Sequence, residues 1–204
     1  MVGRKSLKMS KTTWQIGIDE AGRGPLAGPL SVGVLMVNGE ALAELKLTTD
    51  SKGLSASKRE EWYQKISAQK EKGNLFFTCS LITNKQIDEL GLTASWQLGI
   101  KEALKVLPLK TTDQIFLDGG LKAPKNYLNQ QTIIGGDKKV RVISLASIVA
   151  KVTRDRELVK LAKKYPQYGF EIHKGYATLD HYLALLQYGP CPIHRQSFLN
   201  FLKG

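Results

Sequence analysis

Trp14, Ile16 and Ile18 alternate with Gln15, Gly17 and Asp19, the two-residue period of a strand with one buried face. That strand is expected to end where glycine and proline crowd together, at Gly22, Gly24, Pro25, Gly28 and Pro29. Ser31 to Val37 reads as a second strand, joined to the first through this glycine-rich loop. Ser57 with Glu60 has capping-box spacing and predicts a helix that carries Trp62 and Ile66 and stops near Gly73. Leu75 to Ile82 carries apolar residues at both parities, a third strand covered on both faces. Helical spacing returns from Thr93 to Val106, and a short strand, Gln114 to Leu117, runs into Asp118-Gly119-Gly120. Val140 to Ile143 predicts another strand, leading into a helix from Leu145 to Tyr165 with Leu145, Ile148, Val149, Val152 and Val159 as its buried stripe. Beyond Pro166 the pattern shortens to a capped helix, Thr178 to Tyr188, and a tail holding Pro190, Pro192 and His194-Arg195.

Strands first, then strands alternating with helices, predict an α/β domain in which helices cover a mixed sheet. A chain of 204 residues fits one such domain with a small addition. The expected division is a basic tail over 1–13, the sheet-and-helix unit over 14–165 and a mostly helical appendage over 166–204. Composition adds one strong bias. Thirty Lys and Arg against eighteen Asp and Glu give a net charge of +12, which favours a polyanionic partner. Charge alone does not separate DNA, RNA and acidic lipid. No apolar run approaches the roughly 20 residues of a membrane span, and Met1 to Lys11 lacks the apolar stretch of a secretory signal. Cys79 and Cys191 stand far apart and form no ligand-like pair, so a reducing, cytoplasmic setting is expected.

Adjacent carboxylates, Asp19 and Glu20, sit where the first strand meets the glycines. Neighbours on a regular strand point to opposite faces, so these two are expected to converge only where the strand breaks. Arg23 between Gly22 and Gly24, in a basic chain, suits an anionic molecule approached by backbone N–H groups. Carboxylates beside such a loop would repel that molecule unless a divalent cation lay between them. The same residues also fit a solvated turn. Asp118 stands in the same kind of place, again at a strand end or a turn. Ser147, Lys151 and Asp155 are spaced by four on one helix and share a face. Lys151 and Asp155 form either a plain surface pair or part of a site, with Asp155 joining the other carboxylates and Lys151 beside a phosphate.

The run Ile16 to Pro29, Asp118-Gly119 and Ala146 to Asp155 together resemble the type 2 ribonuclease H, or ribonuclease HII, family. The resemblance continues through Lys174-Gly175-Tyr176-Ala177-Thr178 with His181, and through His194-Arg195 with Ser197-Phe198. It implies a ribonuclease H-like mixed β-sheet flanked by helices, with a small C-terminal helical appendage that binds substrate. The implied enzyme is a monomeric endonuclease acting on the RNA strand of RNA–DNA hybrids. It also implies cutting at single ribonucleotides embedded in duplex DNA, leaving 5′-phosphate and 3′-hydroxyl ends. By position, Asp19, Glu20, Asp118 and Asp155 match the family's four acidic residues. They would hold Mg²⁺ or Mn²⁺, with Asp19 bridging two ions, Asp155 on the water-activating side and Glu20 and Asp118 on the leaving-group side. Recognition of the 2′-OH falls to the backbone of Gly22-Arg23-Gly24, with Tyr176 against the adjacent sugar. Ser147, Lys151, His194, Arg195 and Ser197 read as phosphate contacts. A non-catalytic nucleic-acid-binding module would explain the charge but not the carboxylates at strand ends. A DNA nuclease of integrase or resolvase type would leave the Gly-Arg-Gly loop and Tyr176 without a use.

Overall fold

A sheet in the order β3-β2-β1-β4-β5 organises the molecule, with β1 Trp14–Ala21, β2 Leu30–Asn38, β3 Leu75–Ile82, β4 Gln114–Asp118 and β5 Gln130–Ile133. The computed structural model describes residues 14–47 and 53–202, so the expected tail over 1–13 lies outside the described residues. β1, β2 and β3 pair antiparallel as a meander, whereas β4 and β5 join β1 in parallel, which makes the sheet mixed. The parallel register sets Ile18 opposite Leu117, so Asp19 and Asp118 leave neighbouring strands at the same end.

The helices are α1 Gly39–Glu44, α2 Ala56–Glu71, α3 Asn84–Val106, α4 Gly136–Lys139, α5 Arg141–Lys164, α6 Phe170–His173 and α7 Leu179–Tyr188. Ile16, Ile18, Val32, Val34 and Met36 pack on one face of the sheet against Ile100, Ala103 and Leu104 of α3. On the other face Leu35 and Val37 meet Leu145, Ala146, Ile148 and Val149 of α5, with Ile66 of α2 behind them. Each such fully buried Leu or Ile contributes roughly 1.5–3 kcal/mol. The α5 side is closer than side chains would allow. A Cβ on Gly17 would lie 2.1 Å from the Val142 carbonyl oxygen, and one on Gly33 2.4 Å from that of Ala146. These two glycines let the α5 backbone rest on the sheet beside Asp19, which pairs with Gly33.

The chain beyond Pro166 packs Tyr168, Phe170, Ala184, Leu185, Cys191 and Leu199 against Leu158 and Ala162 of α5 and against Leu26 and Ala27 of the glycine-rich loop. Hydrogen bonds from Leu26 N to Gly175 O (2.8 Å) and from Gly28 N to Ile193 O (2.9 Å) tie that loop to it. Both cysteines are free thiols, and burial pushes Cys79 up to about 12. Among the described residues no helix is long and apolar enough to cross a membrane.

Several expectations need correction. β1 continues through Ala21, so Asp19 and Glu20 lie within the strand and the break falls at Gly22, whose φ is 93°. Ser55, not Ser57, caps α2, its hydroxyl accepting from Lys58 N. α3 begins at Asn84 behind a Thr83–Gln86 capping box, and Gly91 kinks it before the expected start. Val140 to Ile143 is no strand: Val140 precedes α5, and Val142 and Ile143 are buried in its first turn. The polar strand β5 replaces it at the sheet edge. Val159 leaves the buried stripe and is 41% exposed, because here α5 buries Leu158 and Ala162 against the chain beyond Pro166 and turns Val159 to a surface groove.

Candidate active site

Asp19 on β1, Asp118 at the end of β4 and Asp137 in the first turn of α4 each offer a carboxylate oxygen, all within 4.8 Å of one another. Asp19 and Asp137 are almost fully buried. Gly136 N–H donates to Asp118 Oδ1 at 2.6 Å, holding the α4 turn against the β4 end. Asp19 Oδ1 accepts from Glu20 N at 2.8 Å, while its Oδ2 is buried without a direct hydrogen bond. Burial pushes the Asp19 carboxyl well above the usual carboxylate range. The charges of Glu20 and Asp118 push the same way, and the Ser147 hydroxyl opposes them. Burial also raises Glu20, against the pull of Arg23, whose Nη1 lies 3.8 Å from Glu20 Oε1. Carboxylates gathered this closely, with one oxygen of Asp19 buried and unsatisfied, are a donor set suited to a hard divalent cation.

Asp19 and Asp118 line a cleft of about 530 Å³ together with Gly22, Arg23, Gly24, Lys151 and Tyr176, while Asp137 stands buried beside them and does not line it. Glu20 lines the cleft too, without belonging to the closest group of oxygens. The Arg23 guanidinium stacks over Trp96 at 4.2 Å. Tyr176 is 41% exposed, with Lys151 Nζ 5.6 Å from its ring. The cleft thus sets the carboxyl groups of Asp19, Glu20 and Asp118 beside cations and an open aromatic ring.

The structure does not bring Asp155 to the acidic group. Its Oδ1 lies 2.9 Å from Lys151 Nζ, the simple i,i+4 pair, and it faces the groove beside the cleft. His194 and Arg195 are not surface phosphate contacts either, being 1% and 0% exposed. His194 packs in a histidine group, its Nε2 3.0 Å from that of His181. Burial, and then His181, push His194 down to about 4. Arg195 turns inward to backbone carbonyls of the glycine-rich loop. Ser197 is exposed, and its backbone N–H and hydroxyl both donate to Asp88. Asp137 escapes the sequence reading although a signal exists: Gly135-Gly136-Asp137 sets an aspartate against a glycine pair, as Asp118-Gly119-Gly120 does.

The sequence model of the family Ribonuclease HII matches residues 16–201 of this chain. The chain belongs to the ribonuclease HII family. It is 41% identical over 188 residues to the ribonuclease HII of Caldicellulosiruptor saccharolyticus, covering 92% of this chain and 88% of that one. It is 44% identical over 183 residues to that of Endomicrobium trichonymphae, covering 89% and 83%. Its fold is similar to the crystal structure of the ribonuclease H2 from Pyrococcus horikoshii OT3, with a TM-score of 0.72 and 30% identity over 94% of this chain and 100% of that one. The fold is also that of Bst-RNase HIII, solved in complex with Mn²⁺, with a TM-score of 0.70 and 17% identity over 94% of this chain and 69% of that one. As a ribonuclease HII the chain is a metal-dependent endoribonuclease with the ribonuclease H fold.

Proposed function

We propose that this enzyme hydrolyses the RNA strand of RNA–DNA hybrids and cuts at single ribonucleotides embedded in duplex DNA. The observation that carries the reading is the set of carboxylates on Asp19, Asp118 and Asp137, gathered within 4.8 Å in a chain of net charge +12. Asp137 takes the place expected of Asp155, and Glu20 adds a fourth carboxylate at the cleft wall. Mn²⁺ or Mg²⁺ fits this all-oxygen set. Such ions, when bound, stabilise the charge of the phosphoryl transition state and provide hydroxide at neutral pH.

The chain's own groups prepare the rest. The Gly136 amide fixes Asp118, and Ser147 offers its hydroxyl to Asp19, so neither carboxylate has to be ordered by substrate. Lys151 and Arg23 bring positive charge to the rim, where the strand's phosphates would lie. The stack on Trp96 restrains Arg23 and lowers the entropy lost on contact. Tyr176 offers a half-open ring to the sugar beside the scissile phosphate. On this reading 14–165 carry the chemistry, and 166–204 supply Tyr176 and the support behind the loop. The products carry 5′-phosphate and 3′-hydroxyl ends.

A DNA duplex with one ribonucleotide, incubated with Mg²⁺, Mn²⁺ or EDTA, tests the proposal. Cleavage at the ribonucleotide with either ion and none in EDTA is expected. Cleavage of the matched all-DNA duplex at an equal rate would contradict the substrate assignment.

A further inference from the structure

Arg154 and Arg195 are both fully buried behind the cleft, and each guanidinium faces backbone carbonyls. Arg195 Nη2 donates to Gly22 O at 2.7 Å, Nη1 to Arg23 O at 2.9 Å and Nε to Gly28 O at 3.0 Å. Its backbone N–H donates to Leu26 O at 2.8 Å. Arg154, on α5, donates to Pro29 O at 2.8 Å, Lys174 O at 3.0 Å and Ala27 O at 3.2 Å. Gly22 has φ 93°, and a Cβ there would sit 2.1 Å from Arg154 Nε, so the loop can lie on the guanidinium only as glycine. Burial and the neighbouring Arg154 push Arg195 down to about 9, still charged at neutral pH. A buried cation is costly to keep, and this one is spent on the shape of a loop.

That shape has a direct consequence. The described residues contain no cis peptide. In a trans peptide the carbonyl of one residue and the N–H of the next point in opposite directions. Drawing the Gly22 and Arg23 carbonyls into the interior therefore turns the Arg23 and Gly24 N–H groups outward, on the side where these residues line the cleft. We infer that Arg195 is a positioning residue: its fork aims the Arg23 and Gly24 amides at an acceptor oxygen of the substrate's ribonucleotide. Lysine could not do this, because one ammonium cannot span three carbonyls in a fixed plane. The inference rests on the reading that Gly22-Arg23-Gly24 touches substrate.

The test compares steady-state kinetics on a DNA duplex with one ribonucleotide for the wild type, Arg195→Lys, Gly24→Pro and Ile66→Val. Ile66 is buried on α2, outside the cleft lining, so its truncation controls for lost stability. For Arg195→Lys, KM should rise about tenfold, the worth of one or two lost hydrogen bonds. Its kcat should change little, its Mn²⁺ affinity should stay at the wild-type value, and Ile66→Val should keep the wild-type KM. If Arg195→Lys lowers only the melting temperature, as Ile66→Val does, while Gly24→Pro raises KM, the positioning role fails and the loop reading stands. An unchanged KM in both loop variants overturns the loop reading, and this inference with it. Should Arg195→Lys not fold, ¹⁵N spectra of the wild type titrated with the same duplex in Ca²⁺ decide. The Arg23 and Gly24 amides must then be among the most shifted, and their indifference to duplex overturns the proposal.

Discussion

Replacing Asp19 by Asn should stabilise the metal-free protein while abolishing its activity. Asp19 is 2% exposed, and its oxygens share a 4.8 Å cluster with those of Asp118 and Asp137. At that separation and an effective dielectric of about 20, each pair of charges repels by about 3.5 kcal/mol. Asp19 escapes part of this by holding its proton, the meaning of its raised pKa, so the measurable gain is on the order of 1–3 kcal/mol. For a chain of this size that is roughly 2–12 °C in melting temperature. A carboxyl raised in the folded state makes the fold bind more protons than the unfolded chain. Stability is therefore full below the unfolded pKa and lost as pH rises through the folded one. The gain from Asp19→Asn should thus appear at neutral pH and fade toward pH 4. The assay is thermal unfolding in EDTA and in excess Mn²⁺ across pH. Wild type should gain about 2.7 kcal/mol at a hundredfold excess of metal over Kd, and the variant little. A variant that melts lower than wild type in EDTA at pH 7, yet keeps the full Mn²⁺ shift, would refute the reasoning.

Two further outcomes follow from the same geometry. Tyr176→Ala should slow cutting at a single embedded ribonucleotide more than cutting of a long hybrid, because a 1 Å error in seating the phosphate can cost about a hundredfold; equal losses on both substrates would leave Tyr176 a general contact. The lowered pKa of buried His194 means the unfolded chain binds the proton first, so stability should fall as pH drops from 6.5 toward about 4, and His194→Gln should flatten that slope in pH-dependent melting.

The central strands and the α7 helix are legible because period and caps agree with tertiary burial there, as with Thr178 accepting from His181 N. Asp19 and Asp118 are legible for a related reason, each standing where a strand pattern meets glycine. Val140 to Ile143 misleads because its β-branched alternation imitates a strand. Tertiary contact overrides it: α5 lies on Gly17 and Gly33, and Val142, Ile143 and Ser144 of its first turn are buried, with Arg141 left exposed. That misreading hides Asp137, since the short α4 turn before it has no hydrophobic period. β5 is hidden because Gln130, Gln131 and Thr132 at a sheet edge need no buried face. His194 and Arg195 mislead because basic residues near a polar tail suggest phosphate, whereas Arg195 satisfies carbonyls that local sequence cannot reveal. Lys151 and Asp155 pair at the helical spacing that suggests them, without the carboxylate reaching the cluster.

Calorimetric titration of Mn²⁺ into the wild type, Asp137→Asn and Asp155→Asn decides whether Asp19, Asp118 and Asp137 form the metal site. Asp137→Asn should lose the tight binding seen in the wild type, and Asp155→Asn should retain it. Loss of binding in Asp155→Asn with full binding in Asp137→Asn would contradict the account and return the fourth carboxylate to α5.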